Sequence, residues 1–409
     1  MTTKDYVTRI HSSPLEIDVA QWNALLKASD LPTPFMRHEY LAAMQTSNSA
    51  VKATGWDARF VALYSPDEKE LLAACPLYVK THSYGEYVFD WAWARAYQEN
   101  GLAYYPKATI AVPFTPVPGT RFLCKNGFSP SYLLREVLSY CEQEDVSSLH
   151  TLFASESDQH IATDEKLMLR ETVQFHWQNA SYNDFDAYLA TLAQDKRKKI
   201  RAERRKVSDA GMTWRWSQGV DISSADWDFF YTCYERTYLE HGNPPYLNRE
   251  FFQGMQETMP ENWLLFIAEH SGKSIACSMI AIQDTINSVA LCADSVPANS
   301  PKSIKKVAQK VAYGRYWGAI ARVDSLHFEA CYYQPLQWCI EHGFDRFEGG
   351  AQGEHKMARG LLPVVTRSAH WLAHPQFADA VNRFLERERL GIGEYVEHLA
   401  QRNPFRELS

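Results

Sequence analysis

A chain of 409 residues with 45% hydrophobic and 22% charged side chains has the composition of an ordinary globular protein, long enough for two or three domains. Its 42 basic and 49 acidic residues leave a formal charge of −7, which excludes a protein that coats nucleic acid over its whole surface and leaves room only for local basic patches. The eight cysteines form no CxxC pair and no metal-ligand spacing, so buried reduced thiols and no metal site are expected. No run of about 18 apolar residues is present, and MTTKDYVTRIHSSP lacks the apolar stretch of a signal peptide, so a cytoplasmic protein is expected.

Tyr6–Ile10 alternates like a strand, and Val19–Lys27 and Met36–Gln45 read as amphipathic helices. Arg59–Tyr64 and Leu71–Val79 are apolar runs split by the polar turn SPDEKE, a hairpin signal. KTHSYGEYVFDWAWA (Lys80–Ala94) sets His82, Tyr84, Glu86 and Asp90 among five aromatics. It reads either as an aromatic loop capping a core or as a pocket wall with convergent polar groups. Three prolines and a glycine restrict Ala111–Phe122 to an edge strand or extended loop. Ser131–Gln143 is a helix, Ser148–Phe153 a strand, Ser155–Lys166 a polar segment able to hold a helix, and Arg170–Trp177 a strand.

Asp184–Ala210 reads as one long helix whose second half, KRKKIRAERRK (Lys196–Lys206), carries eight basic side chains and one acidic one. Such a run is either a solvated face paired with acidic neighbours or a landing surface for phosphates, with Arg201, Arg204 and Arg205 as the groups that would touch an RNA backbone. Gly211 closes it in the position typical of helix ends. Strands at Met212–Ser217, Trp263–Glu269 and Ser274–Ile282 and helices at Trp227–Leu239 and Asn248–Met259 follow. A helix pair followed by a hairpin thus occurs in both halves, which points to two copies of one fold, divided as 1–182 and 183–409. Ser288–Asp294 is read as a strand and Ser300–Lys310 as a short basic helix. In His327–Phe344, Pro335 either opens the regular helix or kinks it. Asp345–Gly349 reads as a strand and Gln376–Arg389 as an amphipathic helix.

The richest stretch is FEGGAQGEHKMARGLLP (Phe347–Pro363). Its glycines allow sharp turns or close backbone approach. Glu354 and His355 are able to move a proton, while Lys356 and Arg359, three apart, share a face in a helix. An ordinary charged surface loop is the plain alternative.

KTHSYGEYVFDWAWA, YYPK (Tyr104–Lys107), AVPFTPVPGTRF, KRKKIRAERRK, YGRYWG (Tyr313–Gly318), LHFEACYYQ (Leu326–Gln334) and GAQGEHKMARG (Gly350–Gly360) together resemble the FemAB-like bacterial proteins, in order along almost the whole chain. The resemblance implies an α/β fold of tandem GNAT-like (acyl-CoA N-acyltransferase-like) domains with mixed sheets, the second opened by the long basic helix. It implies transfer of an acyl or aminoacyl group to an amine acceptor of the peptidoglycan-precursor kind, with aminoacyl-tRNA or acyl-CoA as donor; the basic run of helix 196–206 is then the surface expected to dock a tRNA. The alternative is a binding protein that recognises a peptidoglycan-related or other anionic ligand without turnover. Residues 287–311 depart from the family pattern as an insertion.

The acetyl-CoA signature of simple GNAT enzymes is not cleanly present, and GxSxG, Walker A and HExxH motifs are absent. Glu354 and His355 are then the expected general-base residues. The expected substrate-binding groups are Lys356, Arg359, Gln352, Tyr313, Arg315, Tyr316 and Glu329, together with His82, Tyr84, Glu86 and Asp90. Cys331, in an apolar helix, reads as structural.

Overall fold

The computed structural model describes residues 5–284, 310–351 and 353–406. The expected strand at Ser288–Asp294, the expected helix at Ser300–Lys310 except for Lys310, and the insertion at 287–311 except for its last two residues lie outside the described residues; Lys310 itself is in a strand. The chain forms two compact units: Met1–Val173, Tyr246–Thr258 and Val365–Glu397 make the first, and Gln174–Pro245, Met259–Val364 and His398–Ser409 the second. The units are therefore not two consecutive stretches meeting at 182/183. Spatial packing, which sequence order does not report, is the reason.

In the first unit, β1 (Val7–His11), β3 (Phe60–Tyr64), β4 (Leu71–Cys75) and β7 (Leu123–Cys124) form an antiparallel sheet. The run expected as one strand over Leu71–Val79 is two. Pro76 cannot donate to a ladder, and the chain leaves β4 there to enter a second sheet as β5 (Leu77–Lys80). In that sheet β5 lies between β2 (Trp56–Ala58) and β6 (Lys107–Ile110), β6 runs parallel to β8 (Ser148–Thr151), and β8 is antiparallel to β15 (Leu362–Leu372). Five helices come from the first stretch: α1 (Val19–Ala28), α2 (His38–Thr46), α3 (Trp91–Glu99), α4 (Pro130–Gln143) and α5 (Glu156–Asp164). α4 buries Leu133, Leu134 and Val137 against Val61, Leu63, Ala108 and Leu149, the apolar stripe that its 3.6-residue period predicts. α9 (Arg249–Thr258) also belongs here, with Phe251 packed edge-on to Tyr40 of α2. The second helix pair expected from the repeat is thus shared out between the units. α11 (Pro375–Ala400) extends well past the expected Arg389.

In the second unit, β10 (Met212–Gln218), β11 (Trp263–His270), β12 (Lys273–Asp284) and β13 (Lys310–Ala319) form an antiparallel meander. β14 (Arg346–Ala351) runs parallel to β13, and the last residues of β9 (Met168–Gln178) pair antiparallel to β14. The expected α/β class with mixed sheets is what is observed. The long basic helix is two helices, α6 (Phe185–Thr191) and α7 (Gln194–Asp209). The break falls at Leu192, which is extended and bridges Phe405, while the Ala193 N–H donates to the Pro404 carbonyl at 2.8 Å. A tertiary partner for the backbone outcompetes the next helical bond there. α8 (Ser224–Glu240) lies on the meander. Beyond β13 the chain makes a helical turn at Leu326–Phe328, a π-helical turn at Glu329–Tyr333, and then α10 (Gln334–Glu341), with Pro335 in its first turn.

Candidate functional site

In the second unit β14 ends in a sharp reversal. Gly353 has φ +90°, a 3-10 turn spans Glu354–Arg359, and Gly360 closes it with φ +76°. Gly349, on β14, lies against its surroundings so closely that a Cβ there would sit 2.5 Å from Leu361 Cδ2 and 3.0 Å from the Phe175 carbonyl. The Lys356 side chain folds back from the turn, and its Nζ donates to the carbonyls of Gly349 at 2.6 Å and Gly350 at 3.3 Å.

Lys356 also forms part of the wall of a cavity of about 170 Å³. β12 contributes Ser278 to that wall, β13 contributes Arg315, Tyr316 and Trp317, and the helical and π turns contribute His327, Cys331 and Tyr332. Among the described residues that line it are two cations and no carboxylate, so this wall favours an anionic group. Burial pushes the Lys356 ammonium down to about 8 and pushes the Cys331 thiol up, so Cys331 stays a thiol at neutral pH. Tyr332 is 5% exposed, and its hydroxyl lies 3.2 Å from His355 Nε2. Ser278 Oγ donates to the Ala330 carbonyl at 2.6 Å, tying the π turn to β12.

Of the residues expected from sequence, Lys356, Arg315 and Tyr316 meet in this cavity, with Arg315 Nη2 donating to the Tyr316 hydroxyl at 3.3 Å. Arg359 does not join them. It is 2% exposed, holds both oxygens of Glu203 on α7 at 2.8 and 3.0 Å, and stacks its guanidinium over Phe328 at 3.6 Å. The expected Lys356/Arg359 pair is therefore split: a 3-10 turn repeats every three residues, but Arg359 is drawn inward by a buried carboxylate. Glu329 is 3% exposed and turns to Arg204 (3.1 Å) and Gln334 (2.7 Å), away from the cavity. Tyr313 is buried, with its hydroxyl on Gln283 at 3.0 Å. Glu354 is exposed and ion-paired to Arg402 at 2.5 Å. Gln352 lies outside the described residues. Cys331, read as structural, lines the cavity, as do His327, Tyr332, Trp317 and Ser278, none of which was singled out. LHFEACYYQ and YGRYWG contain four of these five. The π turn is what the sequence hides: its wider winding brings His327 and Tyr332, five apart, to ring centroids 5.9 Å apart.

In the first unit, Glu86 and Asp90 are 3% and 2% exposed and belong to an internal ionic network. Lys107 Nζ donates to Ser83 Oγ and Glu86 Oε2, each at 2.7 Å, and to Asp90 Oδ2. Tyr104 OH adds a bond to Asp90 at 2.6 Å, and Lys80 Nζ lies over the Trp56 ring at 3.3 Å. Burial pushes the Lys80 ammonium down to about 7 and raises the Glu86 carboxyl. Burial also opposes the Asp90 charge, but Lys107 and His150 outweigh it and hold its carboxyl well below the usual range. Lys107 is shared by both buried carboxylates, so Glu86 and Asp90 serve the interior of the unit rather than a ligand. His82 is held by the Thr54 carbonyl at 3.0 Å, and Tyr84 is 59% exposed beside it.

The basic helix also divides. α7 buries Ile200, Glu203 and Val207, and on that side Arg204 spans Glu329 and Gln337 (3.0 Å) over the Phe185 ring. Lys198, Lys199, Arg201, Arg205 and Lys206 are exposed on the other side, with Arg201 3.1 Å from Asp186. Arg201 and Arg205 thus face solvent as expected, whereas Arg204 is half-buried against Glu329 and Gln337. Among the described residues no group of histidine, cysteine and acidic side chains has the arrangement of a metal site, and no helix is long and apolar enough to cross a membrane.

No curated protein sequence matches the chain. Among solved structures, the fold is similar to that of L-PGS from Bacillus licheniformis, at 12% identity over 92% of this chain and 99% of that one, with a TM-score of 0.51. It is equally similar to FemX, at 11% identity over 90% of this chain and 98% of that one, TM-score 0.51. At such identities the likeness is one of fold. The profile of the FemAB-like family, described by peptidoglycan biosynthesis and recognition, matches residues 13–407, and the chain belongs to that family.

Proposed function

We propose that the protein transfers an activated acyl group, an aminoacyl group foremost, to an amine acceptor of the peptidoglycan-precursor class at the second-unit cavity. The observation that carries this reading is a cavity walled by Lys356 and Arg315, with no carboxylate among the described residues that line it, beside the Tyr332–His355 hydrogen bond. Acyl transfer needs cations or N–H donors where an oxyanion develops and a route for the proton that the amine loses. Lys356 and Arg315 supply the first, with their hydrogen bonds already fixing their position. Cys331 is held as a thiol, which favours direct transfer over an acyl-cysteine intermediate. Family membership supports the peptidoglycan-related acceptor. The solvent face of α7 supports a tRNA-borne donor, because phosphates bind such faces through counterion release.

The test is transfer of a labelled acyl group from aminoacyl-tRNA or acyl-CoA to a panel of amines that includes peptidoglycan stem peptides. Lys356→Met and Arg315→Met should each lower kcat by about 10²-fold. Tight binding of a stem peptide with no transfer from any donor would overturn this reading in favour of recognition alone.

A further inference from the structure

We infer that Tyr332 and His355 form a two-residue relay that carries a proton between the second-unit cavity and solvent. The relay rests on the acyl-transfer reading for its use, though its geometry does not. Tyr332 sits in the π turn, nearly buried, lines the cavity, and has its hydroxyl 3.2 Å from His355 Nε2. His355 stands exposed on the 3-10 turn, framed by the rings of Tyr332 (centroids 6.0 Å, interplanar 77°) and Phe328 (5.9 Å). One end of the pair therefore belongs to the cavity and the other to water, and the hydrogen bond joins them.

The groups around His355 set its charge. Arg359 and Lys356 come from its own turn, Lys199 from α7, and His327 from the helical turn that faces it. Its neighbour Glu354 is occupied by Arg402. Burial first, then Arg359, Lys356 and Lys199, hold the imidazole below its usual range, so at neutral pH it is uncharged and able to accept. In the transfer step the amine nitrogen bonds to the acyl carbon, and the bond to the leaving oxygen or sulfur breaks with its electron pair. The amine proton passes to Tyr332 Oη as the Tyr332 proton passes to His355 Nε2. The imidazolium then releases a proton to solvent, and the leaving group takes one from solvent. A phenol whose own ionisation burial makes harder suits a concerted passage, because no free phenolate has to form.

The test has one arm that needs no turnover. Nitrogen-15 NMR of labelled histidine reports the midpoint and tautomer of His355. In the unaltered protein the ring should be the Nδ1–H tautomer, accepting at Nε2, with a midpoint below the usual value of about 6.5. Tyr332→Phe should shift the midpoint and erase the tautomer preference. Unchanged values in Tyr332→Phe would overturn the relay even if no acyl donor is ever found, whereas absence of transfer with the NMR coupling intact would sink only the acyl-transfer reading. The second arm is kinetic. Tyr332→Phe and His355→Gln should each lower kcat about 10²-fold with KM unchanged, and His355→Gln should remove the acidic limb of the pH–kcat profile. Full kcat with an unaltered profile in either variant would overturn the relay while leaving acyl transfer standing.

Discussion

Replacing Arg359 by leucine tests the division of labour in the turn most directly. Read from spacing, Arg359 partners Lys356 and holds an anion, so its loss would weaken ligand binding and spare the fold. In the structure it is 2% exposed and satisfies Glu203, itself 9% exposed, through two bonds of 2.8 and 3.0 Å, while Nη1 donates to the His355 carbonyl at 2.7 Å. Arg359→Leu would leave Glu203 buried with only the Tyr333 hydroxyl as a partner. Stranding one charge of a buried pair costs about 3–5 kcal/mol. At about 2–4 °C per kcal/mol for a unit of this size, the unfolding midpoint should fall by roughly 6–20 °C. The assay is thermal unfolding by circular dichroism, with urea unfolding as a check. Arg359→Leu combined with Glu203→Leu should recover most of the loss, because an apolar pair of similar volume removes the stranded charge. A midpoint within about 1 °C of the unaltered protein, together with lost ligand affinity, would refute this reasoning.

Lys356 should be labelled by an amine-reactive ester with an apparent midpoint near 8, read by mass spectrometry of the modified peptide across pH; a midpoint near 10.5 would contradict the burial argument. The linked stability has a definite sign. The folded ammonium titrates near 8 and the unfolded one near 10.5, so the unfolded chain binds more protons between them, and this lysine's contribution to stability rises with pH across that window. On α7, Arg201→Glu with Arg205→Glu should weaken RNA binding and flatten its log–log salt slope by about 2. Arg204→Ala should lower stability and leave the slope unchanged, since that guanidinium lies between Glu329 and Gln337. In the first unit, Lys107→Met strands Glu86 and Asp90 and should cost about 3–5 kcal/mol in urea unfolding; a loss under about 1 kcal/mol would show the network to be solvated.

The α/β class, most element positions and the stretch that carries the candidate site were all legible in the chain. Periodicity placed α4 and α7 because each has a single buried face, and the β11–β12 hairpin stood out as two continuous apolar runs joined by a short polar turn; local pattern suffices for both. Gly353 and Gly360 marked the reversal because their positive φ suits glycine, and the resemblance of seven motifs supplied the family. Local pattern could not show that Leu192 leaves the helix to pair with Phe405, nor that α9 packs on α2 across some two hundred residues of sequence. It also could not assign the charges. Lys356 and Arg359 look equivalent in the sequence, yet one lines a cavity and the other neutralises Glu203. Arg201 and Arg204 look equivalent, yet one meets water and the other Glu329. Whether a charge binds a ligand or balances a neighbour depends on which groups share its buried space, and that is decided only when distant segments pack together.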